Sequence, residues 1–172
     1  MKKPIHLYIF VVLSGIASIL RLFTVMVKTF DEQQVTALYP ATEPYAEDIM
    51  QVLRETSAFQ TNTVNKILGV LLLLILIGVI VSLFQKKNEQ ASLSYAGYVF
   101  TALLFNTYQY IGSRQVLSLY SDEMMRQIGE STALVSYLVQ VALFAIYMGV
   151  TLFFLLRKPK DDKPNHPTTG EI

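Results

Sequence analysis

The chain has no cysteine, no tryptophan and only two histidines. Without cysteine there is no disulfide, no thiolate metal site and no thiol redox chemistry, and the redox compartment stays open. Without tryptophan, any aromatic belt at a membrane interface must come from the ten tyrosines and ten phenylalanines. His6 and His166 form no His-x-x-x-His or Glu-x-x-His pair, so neither a metal nor another cofactor is expected. There is no Gly-x-Ser-x-Gly elbow and no glycine-rich phosphate loop. No basic stretch with interleaved aromatics suggests nucleic acid as a partner. Charge is scarce as well. Charged residues make up 16% of the chain against 52% hydrophobic, with a net charge of +1. That balance fits a polytopic membrane protein rather than a soluble one.

What is present starts with Ile67–Phe84, eighteen residues without a charge and with Ser82 as the one polar side chain. As a helix this run is about 27 Å long, close to the hydrocarbon thickness of a bilayer. Three further apolar stretches join it. The fold expected is an all-α integral membrane protein, a bundle of four transmembrane helices over residues 5–27, 67–84, 91–113 and 132–156. Lys2 and Lys3 ahead of the first stretch, with small residues from Ser14 to Ser18, also fit a cleaved signal peptide. The apolar run continues to Val27, longer than the usual core of about 7–15 residues, so an uncleaved span is the leading reading.

The connections are expected at 28–66, 85–90 and 114–131, with a disordered tail at 157–172. In the first, Pro40 and Pro44 bracket a turn and Thr42 is a cap for an acidic helix over about 44–58. Ala46, Ile49, Met50 and Leu53 share one face of that helix, suited to packing on the bundle end or on a partner. In the third connection Ser121 is expected to cap a short helix and Gly129 to stop it.

Orientation follows from lysine and arginine near the span ends. The N-terminus, the 85–90 loop and the tail hold eight of them, while the 28–66 and 114–131 loops hold five over greater length. Both termini are therefore expected in the cytoplasm and the acidic 28–66 loop outside. The short chain, its basic ends and the lack of an Asn-x-Ser/Thr sequon suggest a bacterial plasma membrane.

Depth counted along each span places Arg21 roughly 7 Å to the outer side of the midplane, with Asn106 and Gln140 at about 6 Å. Each lies on a polar or small-residue face: Ser14, Ser18 and Arg21; Ser94, Thr101, Asn106 and Gln109; Ser136, Gln140, Tyr147 and Thr151. The second span has no such face and is expected to be the most lipid-exposed. Two readings compete for this layer. In the favoured one Arg21 snorkels to phosphate headgroups and the amides tie helices together. In the other, Arg21 holds an anionic group in an outward-facing pocket, with Asn106, Gln109 and Gln140 as further ligand-binding residues. Ser14-xxx-Ser18, Gly97-xxx-Thr101 and Ala145-xxx-Gly149 are candidate close helix contacts. Tyr95, Tyr98, Tyr108, Tyr110, Tyr137 and Tyr147 read mostly as interfacial anchors.

No span carries an Asp or Glu, which argues against a carrier driven by carboxylate protonation. The acidic pairs Glu47–Asp48 and Asp122–Glu123, with Glu43 beside the first, read as solvated loop faces. Membrane thiol oxidoreductases and lipoprotein signal peptidases also have four spans in about this length. The first need cysteines and the second a membrane-facing aspartate pair, and this chain has neither. The leading expectation is a non-enzymatic accessory or interaction subunit of a larger membrane complex for transport or envelope machinery, with a protein partner in the bilayer. The second is a small transporter or ligand-binding membrane protein using Arg21, Asn106 and Gln140.

Overall fold

A computed structural model describes residues 5–27, 29–39 and 45–156. Among them there are six helices and no strand: α1 (Ile5–Val27), α2 (Glu32–Leu38), α3 (Ala46–Gln60), α4 (Thr63–Phe84), α5 (Asn88–Leu117) and α6 (Glu123–Leu156). Three of these, α1, α4 and α6, are long and apolar enough to cross a membrane. The expected turn at Pro40 and Pro44, the cap at Thr42 and the tail 157–172 lie outside the described residues.

Three helix starts have a side-chain cap. Asp31 accepts a hydrogen bond from the Gln34 amide and caps α2, and Asn62 accepts from the Asn65 amide (2.8 Å) and caps α4. Asp122 accepts from the Met125 amide (2.8 Å) and opens α6. Ser121, the expected cap, is instead held by Asp48 of α3, which accepts from both its amide and its hydroxyl. Helix α4 ends at Lys86, whose φ of 59° is left-handed. The Lys86 amide reaches the Leu83 carbonyl and the Lys87 amide reaches that of Ser82, the paired closure that lets α5 start at once.

Three helices, α4, α5 and α6, run longer than the apolar stretches inside them. Helix α6 continues through Gly129 rather than stopping there. A Cβ at Gly129 would sit 2.7 Å from Leu117 Cδ2, so this glycine serves the close approach of α5 and α6. At that end the exposed pair Arg114–Glu130 (3.3 Å) contributes little to stability.

Neighbouring helices pack in the order α1–α4–α5–α6, with α3 laid on α5. The core gathers Leu7 and Val11 of α1, Leu72, Leu76, Val79 and Leu83 of α4, and Ala91, Tyr95, Tyr98, Val99 and Phe105 of α5. Helix α4 therefore sits between two neighbours. It buries 33% of its most apolar window, against 6% for α6, so α6 and not α4 is the most exposed of the three. An apolar helix with no polar stripe serves equally well as a bundle centre or a lipid face, and its composition does not distinguish them. Of the small-residue pairs, Ser14 and Ser18 are buried at a helix contact, whereas nothing approaches Gly97 or Gly149.

Helix α3 is fixed to the end of the bundle by Phe59 as well as Asp48. The Phe59 ring lies so close to Gly112 of α5 that a Cβ there would fall 2.0 Å from its Cζ. It also packs on Tyr108, ring centres 5.4 Å apart. Gly112→Ala is expected to destabilise the protein by about 1–3 kcal/mol, the usual cost of overpacking, read as a lower Tm of the purified chain. Adding Phe59→Ala should recover part of that loss. A Gly112→Ala protein of unchanged Tm would show that the ring is free to leave.

Candidate functional site

A seam of hydrogen bonds joins the middle of α1, from Ser14 to Arg21, to α5 from Tyr95 to Asn106. Ser14 Oγ and Tyr95 Oη share a bond of 2.8 Å. The Tyr98 hydroxyl donates to the Ser14 carbonyl (3.3 Å) and lies 2.7 Å from Ser18 Oγ. A phenol has one proton, so with that proton on the carbonyl the serine is the donor to Tyr98. Tyr95 and Tyr98 are thus buried among the helices and not anchored at an interface.

One turn further along α1, Arg21 Nη2 donates to Asn106 Oδ1 at 2.7 Å, and Asn106 Nδ2 donates to Gln140 Oε1 at 3.3 Å. Guanidinium is a donor only, which fixes the order of the chain: Arg21 takes the Asn106 oxygen, the Asn106 amide faces Gln140, and the Gln140 NH2 group is left over. The guanidinium lies over Phe105, 4.7 Å from the ring centre. No carboxylate pairs with Arg21 among the described residues. Three helices therefore meet at the three residues expected to share a layer, and Arg21 is directed inward.

Gln109, the fourth expected site residue, turns to α4. Its Nε2 donates to Asn65 Oδ1 (2.6 Å), while Asn65 Nδ2 donates to the Phe59 carbonyl (2.6 Å) and Asn62 Nδ2 donates to Tyr108 Oη (3.0 Å). Asn65 is wholly buried. Sequence reasoning assigned Asn62 and Asn65 to a loop and missed this cluster. The signal was there: Asn62 three residues before Asn65, just ahead of the apolar run, is a helix start. Tyr137 shares a hydrogen bond with Thr107 (3.1 Å) and stacks on Tyr110, centres 4.6 Å apart. Thr101 and Thr151 bond to carbonyls of their own helices and take no part.

Two cavities meet at the layer. The first, about 550 Å³, opens towards α3 and is lined by Gln60, Gln109, Tyr110, Ser136 and Tyr137, among others. The second, about 300 Å³, lies between α1, α5 and α6 and is lined mainly by apolar groups, with Ser14, Ser18 and the two tyrosines. Arg21, Asn106 and Gln140 line both. Beyond the second cavity Phe10 packs edge-on to Tyr147 (4.7 Å) and against Tyr95 (6.0 Å), and His6 stacks on Phe154 (4.0 Å). The arrangement can receive a negative group at Arg21 and hydrogen-bond it from neighbouring amides. No group of three His, Asp or Glu side chains comes together among the described residues.

The chain belongs to the family described as Domain of unknown function (DUF8777), whose model matches residues 1–164. Neither a curated protein nor a solved structure matches it.

The Asn65 cluster gives a stability prediction. Asn65→Ala takes the acceptor from the Gln109 amide and one donor from the Phe59 carbonyl, which keeps the Asn62 amide (3.3 Å), so the cost is about 1–3 kcal/mol in all. The Tm is expected to fall further for Asn65→Ala than for Gln109→Ala, whose cavity face is open to water. Equal losses would place the energy in the single bond between them.

Proposed function

We propose that the protein is a ligand-binding membrane protein whose pocket, open at the α3 end, receives an anionic group at Arg21. The observation that carries this reading is the direction of Arg21, which faces two cavities inside a helix apolar enough to cross a bilayer. Magnitudes favour it over a purely structural role. Burying an unpaired ion costs several kcal/mol, and a hydrogen bond to a charged group returns about 1.5–3 kcal/mol. An anion would supply the remainder. Snorkelling would avoid the cost, but it turns the guanidinium away from Asn106.

The same reading takes α5 as a fourth span. Helix α5 leaves the α4 end that α6 also reaches, and its 30 residues return the chain to the start of α6. Tyr95, Tyr98 and Asn106 face α1, Gln109 faces α4 and Thr107 faces α6, so α5 tolerates a lower hydropathy than its neighbours. With the basic ends of the chain inside, both termini are cytoplasmic and the pocket opens outward from a cell membrane. A role as accessory subunit has its own support in α6, whose single buried residue is Thr151, leaving a long apolar face for a partner helix.

Arg21→Leu is expected to keep the fold, judged by yield and a monodisperse elution profile, and to abolish the rise in Tm that inorganic phosphate or sulfate gives the wild-type chain. An anion response that survives this change would overturn the pocket reading. For an accessory subunit the same variant should retain whatever protein co-purifies in mild detergent. Because the chain has no natural cysteine, orientation is tested by one introduced residue. Glu47→Cys is expected to react with an impermeant maleimide in intact cells, and protection there with labelling after lysis would invert the topology.

A further inference from the structure

The second cavity has a shape and a lining that an inorganic anion does not need. It continues from Arg21 along α1 to Leu13, eight residues or about 12 Å, and its wall is largely hydrocarbon from Ala17, Leu103, Leu143 and Phe144. Its volume of about 300 Å³ and its narrow run along α1 suit an alkyl chain. The far end is stopped by Phe10, Tyr95 and Tyr147. The side is open: Leu13 and Leu143, on the facing edges of α1 and α6, are 49% and 42% exposed. Helix α1 is backed by α4, and α6 by α5, so the two edges are joined by side chains near the aromatic stop rather than by close backbone packing.

We propose that the ligand is an anionic amphiphile. Its charged head lies at Arg21 with the Gln140 amide beside it, and its alkyl chain lies in the cleft between α1 and α6, entered sideways from the bilayer. This rests on the anion-receiving pocket above and adds the chain. Charge complementarity fixes the head: Arg21 is the cation common to both cavities and has no carboxylate partner among the described residues. The apolar lining fixes the tail, since Ala17, Leu103, Leu143 and Phe144 offer methylenes close contact and no hydrogen bond. The junction of the two chemistries at one residue is what a headgroup bonded to a chain requires.

Thermal titration of the full chain in neutral maltoside micelles, at one micelle concentration, tests the proposal with three probes: dodecyl phosphate, inorganic phosphate and dodecanol. Dodecyl phosphate is expected to bind at least tenfold more tightly than either of the others. Arg21→Gln should remove the response to both phosphates. Ala17→Phe, which fills the cleft, should remove the tenfold advantage of the alkyl chain and leave inorganic phosphate unchanged. Leu143→Trp, on the opposite lip, serves the same purpose if Ala17→Phe fails to fold. Inorganic phosphate binding as tightly as dodecyl phosphate would overturn the amphiphile and leave the anion pocket standing. Dodecanol matching dodecyl phosphate, or both lip variants keeping the full advantage, would also overturn it. No response to any probe in the wild-type chain would remove both readings.

Discussion

Hydrogen bonds from one stripe of α1, at Ser14, Ser18 and Arg21, are the constraint that sets how α1 is rotated in the bundle. A guanidinium in an apolar helix needs an acceptor, and Asn106 supplies one at 2.7 Å. That choice orients the Asn106 amide, which in turn orients Gln140 on α6. These bonds orient facing side chains on three helices, while the apolar core holds the helices together. Ser14 and Ser18 extend the constraint along α1 through Tyr95 and Tyr98. These residues are spaced four and three apart, so they lie on one stripe. A rotation of α1 by one residue, about 100°, would remove all three links at once. Hydrophobic packing gives no such specificity in α1, whose remaining surface is uniformly apolar.

Helix α5 is the common partner in this scheme. It meets α1 through the seam, α4 through the core and Gln109, α6 along its length and α3 at Gly112. Its sequence is less apolar than those of α1, α4 and α6 because its polar side chains have protein partners. A buried polar group without a partner costs about 1–3 kcal/mol, and here the serines, asparagines and tyrosines of adjoining helices satisfy one another. The contacts of α5 are consequently mixed, with hydroxyl and amide pairs set within an apolar core.

Much of this was legible from residues alone. Apolar length located the helices, and counting residues along each one placed Arg21, Asn106 and Gln140 at one height. Height is only one of two coordinates. The direction a side chain faces depends on helix rotation, which hydrophobic periodicity reveals poorly when the whole circumference is apolar. For this reason Ile67–Phe84 reads as a lipid-facing helix although α4 lies inside, and Arg21 reads as outward-snorkelling although it turns to Asn106. The tyrosines were ambiguous for a related reason. A hydroxyl on an aromatic ring suits a wet interface or a buried serine equally well, and only the position of Ser14 and Ser18 on a neighbouring helix decides. Asn65 lies ahead of the apolar run, whose onset is four residues after Thr63, so only the cap at Asn62 signals that it belongs to α4.

The aromatic stop bears on what kind of event the pocket supports. A route from the α3 end through both cavities would have to pass Phe10, Tyr95 and Tyr147 and then the His6–Phe154 stack. Aromatic contacts of this kind are worth about 0.5–1.5 kcal/mol each beyond their area burial, so opening the stop has a modest cost per contact. The seam beside it is harder to break, because separating α1 from α5 would strand Arg21 and several hydroxyls without partners. Motion is therefore cheapest on the side of α1 that faces α6, where the two helices meet through rings and an open cleft. A ligand that enters there changes α1–α6 contacts and leaves the α1–α5 bonds intact. The proposed binding and release between these two helices would leave the α1–α5 bonds in place.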